Sequence, residues 1–230
     1  MTPFDAIRGI EPAGMDGIIL YFSGDSLTTR NNHCQAWEHA LLNASFAWLK
    51  DTLPAYDSLL IVFDIRQVDN HHVYHALRQL NVVSDTSQVE GKRHSLPVWY
   101  GAPAANDLRH IAAHSGITTD DVIRIHQQAL YRVFAVGFAP GFAYMGEVDD
   151  RIACPRLSTP RDKVPQGAVA IADNQSAVYP QSSPGGWNLL GLCPLSMFDG
   201  SETYTARLAV GDTVTFEAID EATYREMKDD

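Results

Sequence analysis

VFAVGFAPGFAYMG, residues 133–146, carries no charge and alternates Gly137, Pro140, Gly141 and Gly146 with the aromatic residues Phe138, Phe142 and Tyr144. Glycine admits positive φ and close backbone approach, so the stretch predicts a shaped loop rather than a regular element. Its aromatic surface suits packing between a barrel and its helices. It suits the wall of a pocket equally, since pockets are mostly apolar with a few placed polar groups. Around this stretch, from residue 131 onward, short β-prone runs at 131–136, 168–172, 177–179, 187–190 and 213–219 are separated by Gly and Pro. Regular turn punctuation of this kind predicts a barrel or sandwich. In the last run Val214, Phe216 and Ala218 fall on one face and Thr213, Thr215 and Glu217 on the other, after a Gly211-Asp212 turn.

Working toward the N-terminus, residues 96–100 (LPVWY) read as an edge strand, because Pro97 cannot donate to a central ladder. A helix is predicted over 107–115 with Gly116 as its C-cap, and a second begins after Thr118, with Asp121 in capping-box position. Further upstream, residues 18–22 and 59–63 read as strands. Between them Trp37, Leu41, Ala44 and Trp48 recur at helical spacing and predict a helix over 32–50. Asp69 can cap another helix, whose stripe is Val73, Ala76, Leu77 and Leu80. These elements make a small α+β unit with helices on one face of a sheet. The polar stretch 81–94 reads as the crossing between two domains, residues 1–90 and 91–230.

Composition narrows the function classes. Seventeen Lys and Arg against 28 Asp and Glu give a net charge of −11, which disfavours nucleic acid and anionic membranes as partners. The uncharged stretch 174–198 contains Pro180, Pro184, Gly185, Gly186, Gly191 and Pro194, and no membrane helix survives them. Asp5, Arg8 and Glu11 interrupt any signal-peptide core. Cys34, Cys154 and Cys193 are odd in number and widely spaced, so they read as reduced structural thiols in a cytoplasmic protein.

His71 with His75 and His110 with His114 have i, i+4 spacing, but neither pair has the Glu that a protease zinc helix needs, and both read as solvated helix surface without metal. His126, among Val122, Ala129 and Leu130, reads as at least partly buried: a core histidine bonded to a carbonyl, or a catalytic group. In residues 158–167, STPRDKVPQG, Arg161 and Lys163 could hold a carboxylate or phosphate, or could be solvated and paired through Asp162. Residues 179–188, YPQSSPGGWN, offer hydroxyls, amides and glycines fit for a neutral polar ligand, without the elbow of a serine hydrolase. Gly91-Lys92-Arg93 is no P-loop, and no dinucleotide fingerprint follows a strand.

The segment FAVGFAPGFAYMGEVDDRIACPRLSTPRDKVPQGAVAIADNQSAVYPQSSPGGWNLLGLCPLSMFD resembles the signature of the KipI / allophanate hydrolase subunit 1 family, which includes the B-subunits of 5-oxoprolinase (PxpB-like). The elements GF-x-PGF-x-Y, TPR-x-K-VP-x-G, YPQ-x-S/T-PGGW and L-x-VGD-x-V-x-F occur together in family order. Residues 95–101 (SLPVWYG), His126 and residues 55–63 extend the likeness over most of the chain. Ala143 stands where a Pro is common, Cys154 where Thr is common, and Asp173-Asn174 replaces a usual glycine.

The resemblance implies an α+β protein: a small ferredoxin-like N-terminal domain followed by a cyclophilin-like β-barrel. It implies catalytic roles for His126, Arg161 and Lys163, and substrate contacts from Phe138, Tyr144, Gln175, Tyr179, Gln181 and Trp187. The implied function is that of one component, inactive alone, of an ATP-dependent 5-oxoprolinase that opens 5-oxo-L-proline to L-glutamate. KipA-like (PxpC-like) and LamB/YcsF-like (PxpA-like) partners would complete it, with ATP and Mg²⁺ bound in the complex and not by a motif of this chain. The alternative is a regulatory protein that inhibits a sensor histidine kinase.

Overall fold

The computed structural model describes residues 3–82, 91–200 and 205–229, and the chain divides into two compact units, residues 1–90 and 91–230. The polar stretch expected to join them lies mostly outside the described residues. In the first unit a 3-10 turn at Pro3–Ala6 leads into β1 (Ile7–Pro12) and β2 (Gly17–Phe22), then α1 (Leu27–Ala44), β3 (Leu49–Ala55), β4 (Ser58–Phe63) and α2 (Asn70–Gln79). The strands form an antiparallel sheet in the order β1-β2-β4-β3. Alternation sends Ile18, Leu20 and Phe22 of β2 and Leu59, Ile61 and Phe63 of β4 to one face, where Trp37 and Leu41 of α1 and Val73 and Leu77 of α2 cover them.

Two expectations for this unit change. A ferredoxin-like unit runs βαββαβ. The described residues run ββαββα, and the place beside β2 is taken by β1 rather than by a strand after α2. The charges and proline of β1 (Ile7–Pro12, IRGIEP) conceal it in the sequence. The first helix also begins and ends earlier than its apolar spacing suggests. Ser26 caps it, its Oγ accepting from the Thr29 N–H at 3.0 Å, and Ser45 ends it in the left-handed region at φ 50°. Trp48 lies past the helix yet enters the same core, stacked on Phe46 at 4.6 Å, which is why the periodicity overshoots. Asp69 caps α2 as expected, accepting from the His72 N–H at 2.8 Å.

The second unit is a closed barrel of seven strands with helices against it. β5 (Arg93–Tyr100) is followed by α3 (Leu108–Ser115), α4 (Thr119–Gln128), β6 (Tyr131–Val136), β7 (Ala143–Gly146), β8 (Arg161–Val164), β9 (Ala168–Ala172), β10 (Gln175–Val178), β11 (Ser183–Gly185) and β12 (Asn188–Leu192). The short pair β13 (Phe198–Asp199) and β14 (Thr205–Ala206), then β15 (Thr213–Ala218) and α5 (Glu221–Asp229), complete it. Around the barrel the order is β6-β15-β5-β12-β9-β10-β7, and β7 pairs with β6 to close it. The β15–β5 pair is parallel and the other six are antiparallel. Among the described residues no helix is long and apolar enough to cross a membrane.

The stretch 133–146 is not a loop but the closing hairpin. β6 and β7 pair from Arg132↔Gly146 to Val136↔Ala143, and only residues 137–142 turn. Glycine and proline are spent in that turn: Gly141 has φ 78°, and a Cβ there would stand 2.6 Å from the Met197 carbonyl oxygen. Nor is β5 an edge strand, since β15 and β12 flank it. The Val98 carbonyl accepts from Ile219 on the β15 side, so the backbone of Pro97 faces the other flank, where the β12 ladder ends at Trp99. The missing N–H of Pro97 therefore breaks no ladder bond.

β9, AVAIA, shows how the barrel positions a site. All five residues are buried, but Val169 and Ile171 enter the barrel core while Ala168, Ala170 and Ala172 join a second cluster on its outer face with Phe142, Tyr179 and Trp187. The same parity sends Met145 inward and Tyr144 outward on β7, and Val178 inward and Ala177 outward on β10.

Candidate functional site

On that outer face lies a cavity of about 340 Å³ lined by Phe138, Phe142, Tyr144, Arg156, Ala172, Asp173, Gln175, Tyr179, Pro184, Gly185 and Trp187. Phe142 is its hub, with ring centroids 5.5 Å from Phe138, 4.8 Å from Tyr144, 5.3 Å from Tyr179 and 5.8 Å from Trp187. Edge-to-face packing of this kind gives rigid walls, because each aromatic ring is held by its neighbours. Phe138 stands at the rim, 73% exposed.

Another wall comes from Pro184 and Gly185 of β11, which pairs with β8 as a ribbon. Gly185 brings this ribbon down onto the cavity: a Cβ there would collide with the Tyr179 hydroxyl and stand 3.1 Å from Val164 Cγ2. Burial raises the pKa values of Tyr144 and Tyr179, and the Arg156 guanidinium partly opposes it, so both phenols stay protonated near neutral pH and able to donate.

Five of the six expected substrate contacts, Phe138, Tyr144, Gln175, Tyr179 and Trp187, meet at this cavity. Gln181 does not. It is exposed on the approach to β11. The three expected catalytic residues are also elsewhere. Lys163 is exposed on β8 and does not line the cavity. Arg161 is held internally: Nη2 donates to both carboxylate oxygens of Asp107 at 2.6 and 2.7 Å, and Nη1 to the Trp187 carbonyl at 3.1 Å. Its carboxylate partner is therefore Asp107 and not the neighbouring Asp162. Asp107 also accepts from the Leu189 N–H at 2.7 Å, so this pair ties β8 and the start of α3 to β12, behind Trp187.

His126 is fully buried, and its partners on β5, β6, β10 and β15 place it inside the barrel. Nδ1 lies 2.7 Å from the Tyr100 hydroxyl, Nε2 3.4 Å from Ser176 Oγ, and Ser176 donates in turn to the Ala170 carbonyl at 3.2 Å. Burial lowers its pKa to about 3 and raises that of Tyr100. Tyr100 thus donates to a neutral imidazole, which donates to Ser176. Every member is bonded, and the imidazole faces protein on all these sides rather than the cavity. The ring is buried as the core reading expects, but its partners are the hydroxyls of Tyr100 and Ser176 rather than a backbone carbonyl.

Phe142 and Gly185 come from the two stretches the sequence marks as possible pocket walls, whereas sequence reasoning overlooks Arg156, Ala172 and Asp173 as lining residues. Arg156 sits in the sequence Cys-Pro-Arg with no motif to mark it. What places it is a set of long-range bonds to its neighbours' backbone: the Asp173 N–H to the Cys154 carbonyl at 2.8 Å, the Asn188 side-chain Nδ2 to the Pro155 carbonyl at 2.9 Å, and the Leu157 N–H to the Gly186 carbonyl at 2.7 Å.

Both histidine pairs are on exposed helix surface, and among the described residues no group of three His, Cys, Asp or Glu could hold a metal ion. All three cysteines are buried and unpaired, and burial pushes the thiols of Cys34 and Cys193 up to about 12 and about 11. The cavity lining has no serine, cysteine, histidine or lysine. Its aromatic rings with one cation, one carboxylate and one amide can recognise a small anion bearing a ring or amide.

The family model of the carboxyltransferase domain, subdomain C and D, matches residues 8–208. The B-subunit of 5-oxoprolinase from Bacillus subtilis (strain 168) is 32% identical over 232 residues, covering 96% of this chain and 97% of its own. Its counterpart from Haemophilus influenzae is 36% identical over 68% of this chain and 74% of its own. The crystal structure of TTHA0988 superposes with a TM-score of 0.78 at 35% identity, over 89% of this chain and 40% of that one, so the present chain spans about two fifths of that longer polypeptide.

Proposed function

The chain belongs to the family of 5-oxoprolinase B-subunits and to the carboxyltransferase subdomain C and D family, and from that premise we propose that its outer-face cavity receives 5-oxo-L-proline for ring opening to L-glutamate. The observation that carries this reading is the aromatic cavity with one cation, one carboxylate and one amide in its wall. A five-membered lactam offers two flat faces to Phe142, Tyr144 and Trp187. Its carboxylate, lactam carbonyl and N–H match the polar groups of Arg156, Gln175, Tyr179 and Asp173. Its size suits a cavity near the small end of the ligand-pocket range, on the order of 300 Å³.

The reaction breaks the ring C–N bond while water supplies the hydroxyl to the carbonyl carbon and a proton to nitrogen, with ATP hydrolysed alongside. The lining of this cavity is aromatic with one cation, one carboxylate and one amide, a composition suited to binding and orienting the small ring. On this reading the present chain binds and orients the lactam within a complex completed by KipA-like and LamB/YcsF-like partners, with ATP and Mg²⁺ bound in that complex. The barrel is read as cyclophilin-like in architecture, which does not imply prolyl isomerase activity, since function resides in the site.

Mixing the purified chains tests the reading. This chain alone should give no glutamate from 5-oxoproline, and the three chains together with ATP and Mg²⁺ should give steady turnover. Turnover by the isolated chain, or none by the full set, would refute it.

A further inference from the structure

Arg156 and Asp173 bring opposite charges to one small cavity, yet among the described residues neither is in an ion pair. Their placement is fixed by the backbone rather than by attraction to each other. Cys154 and Asp173 form an isolated antiparallel bridge, and residues 154, 155 and 157 are bonded to Asp173, Asn188 and Gly186, so the backbone at Arg156 is held from both sides in sequence. Asp173 has φ 52°, in the left-handed region that an aspartate enters at a cost and a glycine would enter freely. Arg161, the other cation near this wall, is occupied by Asp107. Arg156 alone among the lining residues carries a positive charge, and Asp173 alone a negative one.

Arg156 and Asp173 are both solvent-exposed on a held backbone, and they set one positive and one negative group on the wall of a single aromatic cavity. We infer that Arg156 and Asp173 are the specificity-determining poles of a clamp for small-ring ligands with a carboxylate on one side and an amide N–H on the other. Arg156 takes the carboxylate through its forked donors, and Asp173 accepts the ring N–H. The clamp rests on the reading of the cavity as the lactam site and adds to it which end of the ring faces which wall. It also states what is rejected. A ring with oxygen in place of N–H would set a lone pair against the Asp173 carboxylate, and a lactam without the acid would leave Arg156 unpaired.

The test is equilibrium binding to the full chain, alone and assembled with its partner chains, followed by Trp187 fluorescence or calorimetry. The probes are 5-oxoproline, its ring-oxygen lactone analogue and 2-pyrrolidinone, which lacks the carboxylate. Arg156→Gln should weaken 5-oxoproline at least about tenfold and leave 2-pyrrolidinone unchanged. Asp173→Asn, which tolerates the same φ, should weaken 5-oxoproline at least about tenfold and narrow its advantage over the lactone. Asp173→Gly repeats the second arm if the asparagine variant fails to fold. Wild-type binding of 5-oxoproline that neither substitution alters would overturn the clamp and leave the substrate reading standing. Absence of 5-oxoproline binding to the wild type in both states would overturn both.

Discussion

Replacing His126 with glutamine should abolish a specific part of the acid sensitivity of the barrel. In the folded chain the imidazole is fully buried, and burial holds its pKa near 3, whereas in the unfolded chain it titrates near 6.5. The folded pKa is depressed, so between these values the unfolded state binds a proton that the folded state refuses. Stability therefore falls as pH falls through that window and is unaffected above it. At pH 5, a pH unit and a half below the unfolded pKa and at about 1.4 kcal/mol per unit, the loss is ~2 kcal/mol. Glutamine can accept from Tyr100 and donate to Ser176 as the neutral imidazole does, but it does not titrate. Urea unfolding at pH 7.5 and pH 5.0, with deuterium exchange read in peptides covering β9 and β10, would compare the two proteins. The other eight histidines are common to both and cancel in the difference. Wild type should lose ~2 kcal/mol more than His126→Gln between the two pH values. Parallel losses, or a His126 ring resonance that titrates near pH 6.5 in the native protein, would refute the buried neutral imidazole.

Three further outcomes follow from the same geometry. Asp107→Ala removes the carboxylate that holds Arg161 and the Leu189 N–H, and should destabilise the chain by about 1–3 kcal/mol in urea unfolding. A wild-type midpoint would mean the pair is ornamental. Gly185→Ala places a methyl against the Tyr179 hydroxyl and Val164, and should weaken 5-oxoproline binding severalfold, whereas Gly116→Ala, strained by its φ of 69° but away from the cavity lining, should lower stability and leave binding unchanged. Mass spectrometry after iodoacetamide at pH 8 should find Cys34, Cys154 and Cys193 unmodified in the native protein and all three modified in urea, because burial both shields the thiols and raises their pKa values.

The elements with strong local signals were legible from the chain alone. β6, β9 and β15 fall where short apolar or alternating runs place them, and Asp69, Thr118 and Gly116 act as the caps their positions suggest. A cap or an alternating strand is a local contest between side chain and backbone, so nearby residues decide it. Trp48 misled the helix boundary because core burial, a long-range demand, imitates helical spacing.

What only the tertiary structure decided is how distant segments share a surface. The sequence marked Tyr144, Gln175, Tyr179 and Trp187, and strand parity on a closed barrel brought them to one outer face. It also marked Arg161 and His126, for sound local reasons, and could not show that Asp107 occupies the first and the barrel interior encloses the second. Arg156 and Asp173 carry no motif at all. They meet because backbone bonds at residues 173 and 186 and the Asn188 side-chain amide pin the segment around Arg156, and these long-range partners are not marked by neighbours in the sequence. Charge and type are properties of a residue, whereas the partner that satisfies or spares it is a property of the fold.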